Sequence, residues 1–171
     1  MAAPITLSAS VEAPPAAVYE ALTVSNGLSS FWTPDSKAEP RVGTLSVFGF
    51  GPVRLEMRVD ELRPSELVAW TCVNDFPMDP HCWRGTKVAW KMSEHELGGT
   101  DVLLEHGGWP ESLPQAAVAS TAFNWALILR ALKGFLETGD AVPVFGRRPV
   151  GAGLLGRTLP DDGDVIRATG G

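Results

Sequence analysis

The sequence predicts an α+β fold in which a curved antiparallel sheet packs against one long helix near the C-terminus. Two observations carry this. The stretch from about Ser112 to Glu137 gathers Val118, Thr121, Trp125, Ile128, Leu129, Leu132 and Leu136 into one stripe at helical spacing. Between Arg41 and His106 the pattern changes to period two and repeats over five consecutive segments. Strands grouped in sequence and flanked by helices fit a sheet with helices on one side, rather than a βαβ alternation.

The elements follow in order. Ile5, Leu7, Ala9 and Val11 alternate with Thr6, Ser8 and Ser10, a half-buried first strand. Pro14-Pro15 ends it, and Pro15 suits the first position of a helix over Ala16 to Leu22. Asn26-Gly27 is expected to break that helix, with a second helical turn over Leu28 to Trp32. Gly43, Leu45 and Val47 open the next strand, and Gly49-Phe50-Gly51-Pro52 reads as a turn. Val53, Leu55, Met57 and Val59 against Arg54, Glu56, Arg58 and Asp60 is the cleanest alternation, a sheet with one wet face. Leu67 to Val73 forms another strand. Asn74 to Cys82 is irregular and longer than a hairpin needs, so it is expected to cover a site. Thr86, Val88, Trp90 and Met92 face one way. Gly98-Gly99 turns the chain, and Val102, Leu104 and His106 return on the same face. Ser112 and Gln115 have capping-box spacing for the long helix, and Gly139 is placed for a left-handed C-cap. A helix from Ser112 to Glu137 would be roughly 40 Å long.

Composition bounds the function. The chain has 171 residues, 44% hydrophobic and 20% charged, with net charge −6. That suits one globular domain and disfavours nucleic acid as a partner. No apolar run approaches the length of a membrane span, and Met1-Ala2-Ala3-Pro4 is no signal peptide. Cys72 and Cys82 are too few for a disulfide scaffold, so a cytoplasmic location is expected. The domain is expected over residues 1–139. Residues 140–171, rich in Gly, Pro and Arg, form a tail without a core of its own. Phe123 and Leu127 lie opposite the helix's main stripe beside Ala131, where three covers fit: the tail, a second subunit in a homodimer, or solvent.

The chain resembles the START-like superfamily (SRPBCC, with a helix-grip fold), and within it the Activator-of-Hsp90-ATPase-homologue-like branch. The resemblance runs from Ile5 to Thr138 through Ala13-Pro14-Pro15-Ala16-Ala17-Val18-Tyr19-Glu20-Ala21-Leu22, Leu28 to Trp32 and Val42-Gly43-Thr44-Leu45. It continues through Leu67-Val68-Ala69-Trp70 and the segment from Gly99 to Pro110, ending at Trp125 with Leu129, Leu132, Phe135, Leu136 and Glu137. The resemblance implies a sheet gripping the C-terminal helix with a ligand cavity between them. It also implies three kinds of activity: binding of lipid- or polyketide-like apolar molecules, cyclase or dehydratase chemistry, or partnership with Hsp90-type chaperones.

The expected site, whose concavity the resemblance implies, is a small-molecule pocket lined by Met57, Trp70, Trp90, Leu104, His106, Trp109, Thr121, Trp125 and Leu129, with Phe48 and Met92 nearby; the alternative is that these side chains are filled core. His106 is the candidate acid or base, since imidazole titrates near neutrality. The alternative is a histidine held by hydrogen bonds at a strand end. His81, Cys82, His95, Asp75 and Asp79 lack zinc-ligand spacing, so no metal is expected. Gly49-Phe50-Gly51 lacks the third glycine of a dinucleotide loop, and no cofactor is implied.

Overall fold

The computed structural model describes residues 2–76, 83–109 and 112–146. Strand β1 (Ile5–Val11) is followed by helices α1 (Pro15–Thr23) and α2 (Ser25–Phe31). Strands β2 (Ser36–Lys37), β3 (Leu45–Phe50), β4 (Val53–Arg63), β5 (Leu67–Cys72), β6 (Lys87–Glu94) and β7 (Thr100–Gly107) come next, and helix α3 (Gln115–Thr138) closes the order. The strands form one antiparallel sheet in the order β1-β7-β6-β5-β4-β3-β2. This is the predicted α+β helix-grip architecture, a curved sheet wrapped around the long helix.

Alternation sets which side chains meet the helices. Thr100, Val102, Leu104 and His106 are buried along β7, while Asp101, Leu103 and Glu105 are less so. Glu105 points outward to Lys91 at 2.5 Å. Register carries the apolar face across the sheet, pairing His106 with Val88, Leu104 with Trp90 and Trp70 with Val59. β4 bulges between Val59 and Glu61, which adds local bend and twist to the sheet. No helix among the described residues is long and apolar enough to cross a membrane.

Several boundaries differ from expectation for identifiable reasons. Gly27 does not break a helix; it lies within α2, and a Cβ there would stand 2.5 Å from the backbone of Ala21. Glycine here serves close helix approach rather than a turn. β3 runs through Phe50, leaving Gly51 and Pro52 as the turn. The capping box does not form. α3 begins at Gln115 with Pro114 as its N-cap and no side-chain cap. A residue before proline disfavours helical backbone, so Leu113 cannot carry the helix back toward Ser112. At the other end Gly139 is left-handed, φ 78°, as expected. The buried stripe is Ala117, Thr121, Asn124, Trp125, Ile128, Leu129 and Leu132, centred slightly off the predicted one, which leaves Val118 exposed.

Residues 140–146, on the tail side of the predicted boundary, return to α2. Val144 and Phe145 donate their backbone N–H groups to the carbonyls of Phe31 and Trp32 at 3.0 and 2.9 Å. Those carbonyls end a helix and have no partner within it. Phe145 is buried edge-on to Phe50. Residues 147–171 lie outside the described residues.

Candidate functional site

All six tryptophans of the chain lie in one aromatic cluster between sheet and helix. Trp70 on β5 and Trp90 on β6 stand edge to face at 6.3 Å. Trp125 of α3 reaches Trp90 at 5.8 Å, Trp32 at 5.3 Å and Trp83 at 5.9 Å, the last pair stacked. Trp109 closes the end beside Trp83 at 6.4 Å. Rings of this size dominate the burial energy of a core.

His106 sits inside this cluster with no exposed surface. Its hydrogen bonds are directional. An indole N–H can only donate, so Trp125 Nε1 gives its hydrogen to His106 Nδ1 at 3.0 Å. The imidazole proton must then reside on Nε2, which donates to Thr86 Oγ1 at 2.9 Å. The Thr86 hydroxyl in turn donates to the Trp83 carbonyl at 2.6 Å. Burial pushes the His106 pKa down to about 3, because the ring meets Trp83, Trp109 and Trp125 rather than water. The ring is neutral at physiological pH, with both nitrogens engaged.

Every residue of the expected site is buried: Met57, Trp70, Trp90, Leu104, His106, Trp109, Thr121, Trp125 and Leu129 are each at most 4% exposed. The structure joins Trp70, Trp90, Trp109, Trp125 and His106 in ring contact. None of the nine lines the groove beside Leu127 and Val144, the cleft beside Ser10 and His95, or the cleft beside Ala17 and Leu136. Among the described residues, two buried side-chain polar atoms have no hydrogen-bond partner: Trp90 Nε1 and Asn124 Oδ1.

Sequence reasoning missed Trp83 and Thr86 as partners of His106, and Trp32 as a ring of the cluster. Thr86 precedes Val88 and Trp90 on the inward alternation, so its signal was present. Trp83 borders the irregular segment and has no periodicity to place it. From that segment, Asn74 receives the Glu56 N–H and donates to the Arg54 carbonyl, Asp75 pairs with Arg84, and Phe76 is buried against Phe50 and Trp83. Asp79, His81 and Cys82 lie outside the described residues.

A second polar group lies near the hairpin end, where Ser10 Oγ and His95 Nδ1 meet Asp101 at 2.6 and 3.0 Å. The Ser10 and His95 bonds hold the Asp101 carboxyl below its usual range. Here the serine donates to the carboxylate and not to the histidine, so the trio does not activate a nucleophile.

Fold and site together define a START-like helix-grip protein: a sheet curved around a C-terminal helix whose tryptophan meets an inward histidine. The model of the Activator of Hsp90 ATPase homolog 1-like family matches residues 12–137, and the chain belongs to that family. Among solved structures it is similar to the Aha1 dimer from Colwellia psychrerythraea, at 29% identity and TM-score 0.69, covering 80% of this chain and 97% of that one. It shares its fold with CalU16 from Micromonospora echinospora, at 20% identity and TM-score 0.61, covering 80% and 75%. DynU16, from the dynemicin biosynthetic locus, has the same fold at 20% identity and TM-score 0.66, covering 82% of this chain and 49% of that one. A comparison with curated proteins gives no match.

Proposed function

We propose that the protein binds a small, mainly apolar molecule between the sheet and α3, among the rings of Trp70, Trp90 and Trp125. The observation that carries this reading is the Trp90 indole N–H, a buried donor without a partner inside an otherwise apolar cluster. Buried donors are nearly always satisfied, and an exception asks for a reason. A ligand bearing one carbonyl or ether oxygen supplies the missing acceptor, while its carbon skeleton displaces ring contacts with ring contacts. Apolar pockets with one or two orienting polar groups are the usual form of such sites. The family supports a ligand-binding fold of this kind.

Cyclase or dehydratase chemistry through His106 is the weaker reading. A proton carrier needs a free nitrogen and a pKa near the working pH. His106 has its nitrogens committed to Trp125 and Thr86, and its pKa is pushed down to about 3.

Native mass spectrometry of protein purified from its own host tests the binding reading, with a retained apolar molecule expected. Tryptophan fluorescence titration with a matched pair, an aliphatic ketone and its hydrocarbon, tests the donor. One hydrogen bond of about 1 kcal/mol favours the ketone roughly fivefold. Trp90→Phe keeps the ring and removes that preference. Equal affinities in the native protein, or a preference that survives Trp90→Phe, sink the assignment.

A second reading concerns partners. We infer that two copies associate through the Phe123 and Leu127 side of α3, because Phe123 is 64% exposed there. The similarity to a protein solved as a dimer supports it.

A further inference from the structure

The outer side of α3 carries two features that fit each other. The first is a projection: Phe123 stands 64% exposed. No charged residue occurs from Gln115 to Leu129, although the solvent side of a surface helix is ordinarily charged. The second is a recess. A groove of about 600 Å³ runs between α3 and the returning segment 140–146, floored by Leu127, Ala131, Gly134 and Phe135 and walled by Val142 and Val144. Gly134 opens into free space, since a Cβ there would meet nothing within 4 Å.

Projection and recess lie on one line. At about 100° per residue, Ala116, Ser120, Phe123, Leu127, Ala131, Gly134 and Thr138 all fall within about 40° of the Leu127 direction. Phe123 is four residues before Leu127 and Ala131 four after it, about 6 Å to either side along the axis. We propose that two copies of this chain pair antiparallel through α3 on a two-fold axis at Leu127, each Phe123 seated in the other's groove. This rests on the second reading above and adds the register to it.

A two-fold through Leu127 sets Phe123 against the partner's Ala131, Ser120 against the partner's Gly134, and Ala116 against the partner's Thr138. Away from the axis each larger residue meets a small one, Phe123 against Ala131 above all, while on the axis Leu127 meets its own copy, so that side chains of one helix fill the spaces of the other. The interface is isologous, so it closes at two copies and leaves no unfilled recess to extend a chain. The absence of charge over Gln115 to Leu129 lets two molecules of net charge −6 approach along this strip without like charges being desolvated. Arg130 and Asp140 border the groove rather than its floor and remain at the wet rim.

Sedimentation velocity of the full chain between about 1 and 100 μM reads the dissociation constant directly. The native protein is expected to be a dimer. Phe123→Asp is expected to raise the dissociation constant about a hundredfold or more, as removal of a central aromatic anchor does. Gly134→Leu fills the groove from within its own chain and is expected to give a monomer as well. Because it replaces a helical glycine without a clash, its thermal midpoint should be at or above that of the Phe123→Asp monomer, which separates loss of pairing from loss of folding. Leu127→Cys should form a disulfide-linked dimer on mild oxidation, and Leu97→Cys, on the far hairpin, should not. A native protein that is monomeric throughout, or a Phe123→Asp variant that still dimerises, overturns both the face and the register. A Phe123→Asp monomer beside a Gly134→Leu dimer retains the face and overturns the register.

Discussion

The burial of His106 makes a quantitative demand on stability. In the unfolded chain its pKa is about 6.5, and in the folded protein it is pushed down to about 3. The folded state therefore binds fewer protons than the unfolded state between these values, and acid favours unfolding. A depressed folded-state pKa means that the stabilisation is complete above pH 6.5 and is lost as pH falls toward 3. At pH 4.5 the folded protein is still almost wholly unprotonated at this site, so the loss is set by the unfolded chain alone. Two pH units at 1.36 kcal/mol each give about 2.7 kcal/mol. The window also separates the histidine from the carboxylates: hydrogen bonds hold Asp101 and Glu137 below their ordinary values of 3.8 and 4.5, so their contribution is lost mainly below pH 4.5.

Urea unfolding followed by tryptophan fluorescence at pH 7.5, 6.5, 5.5 and 4.5 measures this. His106→Gln supplies the reference. It is expected to be less stable at neutral pH because it disturbs the bonds to Trp125 and Thr86, and it has no imidazole to protonate. The difference between native and variant should shrink by about 2.7 kcal/mol from pH 7.5 to 4.5. Parallel curves would refute the argument, since they would mean that the imidazole finds water or a carboxylate in the folded state.

Two further substitutions probe the same core. Thr86→Val keeps the shape but strands the His106 Nε2–H, and should cost about 1–3 kcal/mol, the Trp83 carbonyl still accepting the Thr86 backbone N–H at 2.8 Å, whereas Thr86→Ser retains the hydroxyl and should cost about 1 kcal/mol or less; equal unfolding midpoints for the two would remove the threonine from the network. Gly27→Ala should destabilise by about 1–3 kcal/mol despite alanine's higher helix propensity, because its Cβ would press on the Ala21 backbone at 2.5 Å, and a raised thermal midpoint would contradict that packing.

The period-two and helical patterns were legible because each element buries one face against the same core. His106 could be assigned to the inward face of its strand from Val102 and Leu104 alone. Its role could not, because that depends on Trp125, 19 positions away, and on Trp83, which no periodicity places. The helix start was misread for a local reason: a capping-box spacing is a pair of residue types, while Pro114 imposes backbone geometry. The return of Val144 and Phe145 to α2 was illegible for the opposite reason. Their backbone N–H groups do the bonding, and every residue except proline carries one.

The histidine and the unpartnered indole together favour a binder over a catalyst. Trp125 and Thr86 fix the His106 ring in one tautomer and one orientation, which holds α3 against β7 at a defined height. A ring so held cannot exchange protons near neutrality without breaking a buried bond, so catalysis through it would begin with a cost of about 1–3 kcal/mol before any chemistry. Trp90 is in the reverse condition: its donor already lacks a partner, so a ligand acceptor gives up no protein bond in reaching it. If the Trp90→Phe protein retains its preference for the ketone while Thr86→Val loses it, these assignments are reversed and His106 becomes the group that meets the ligand.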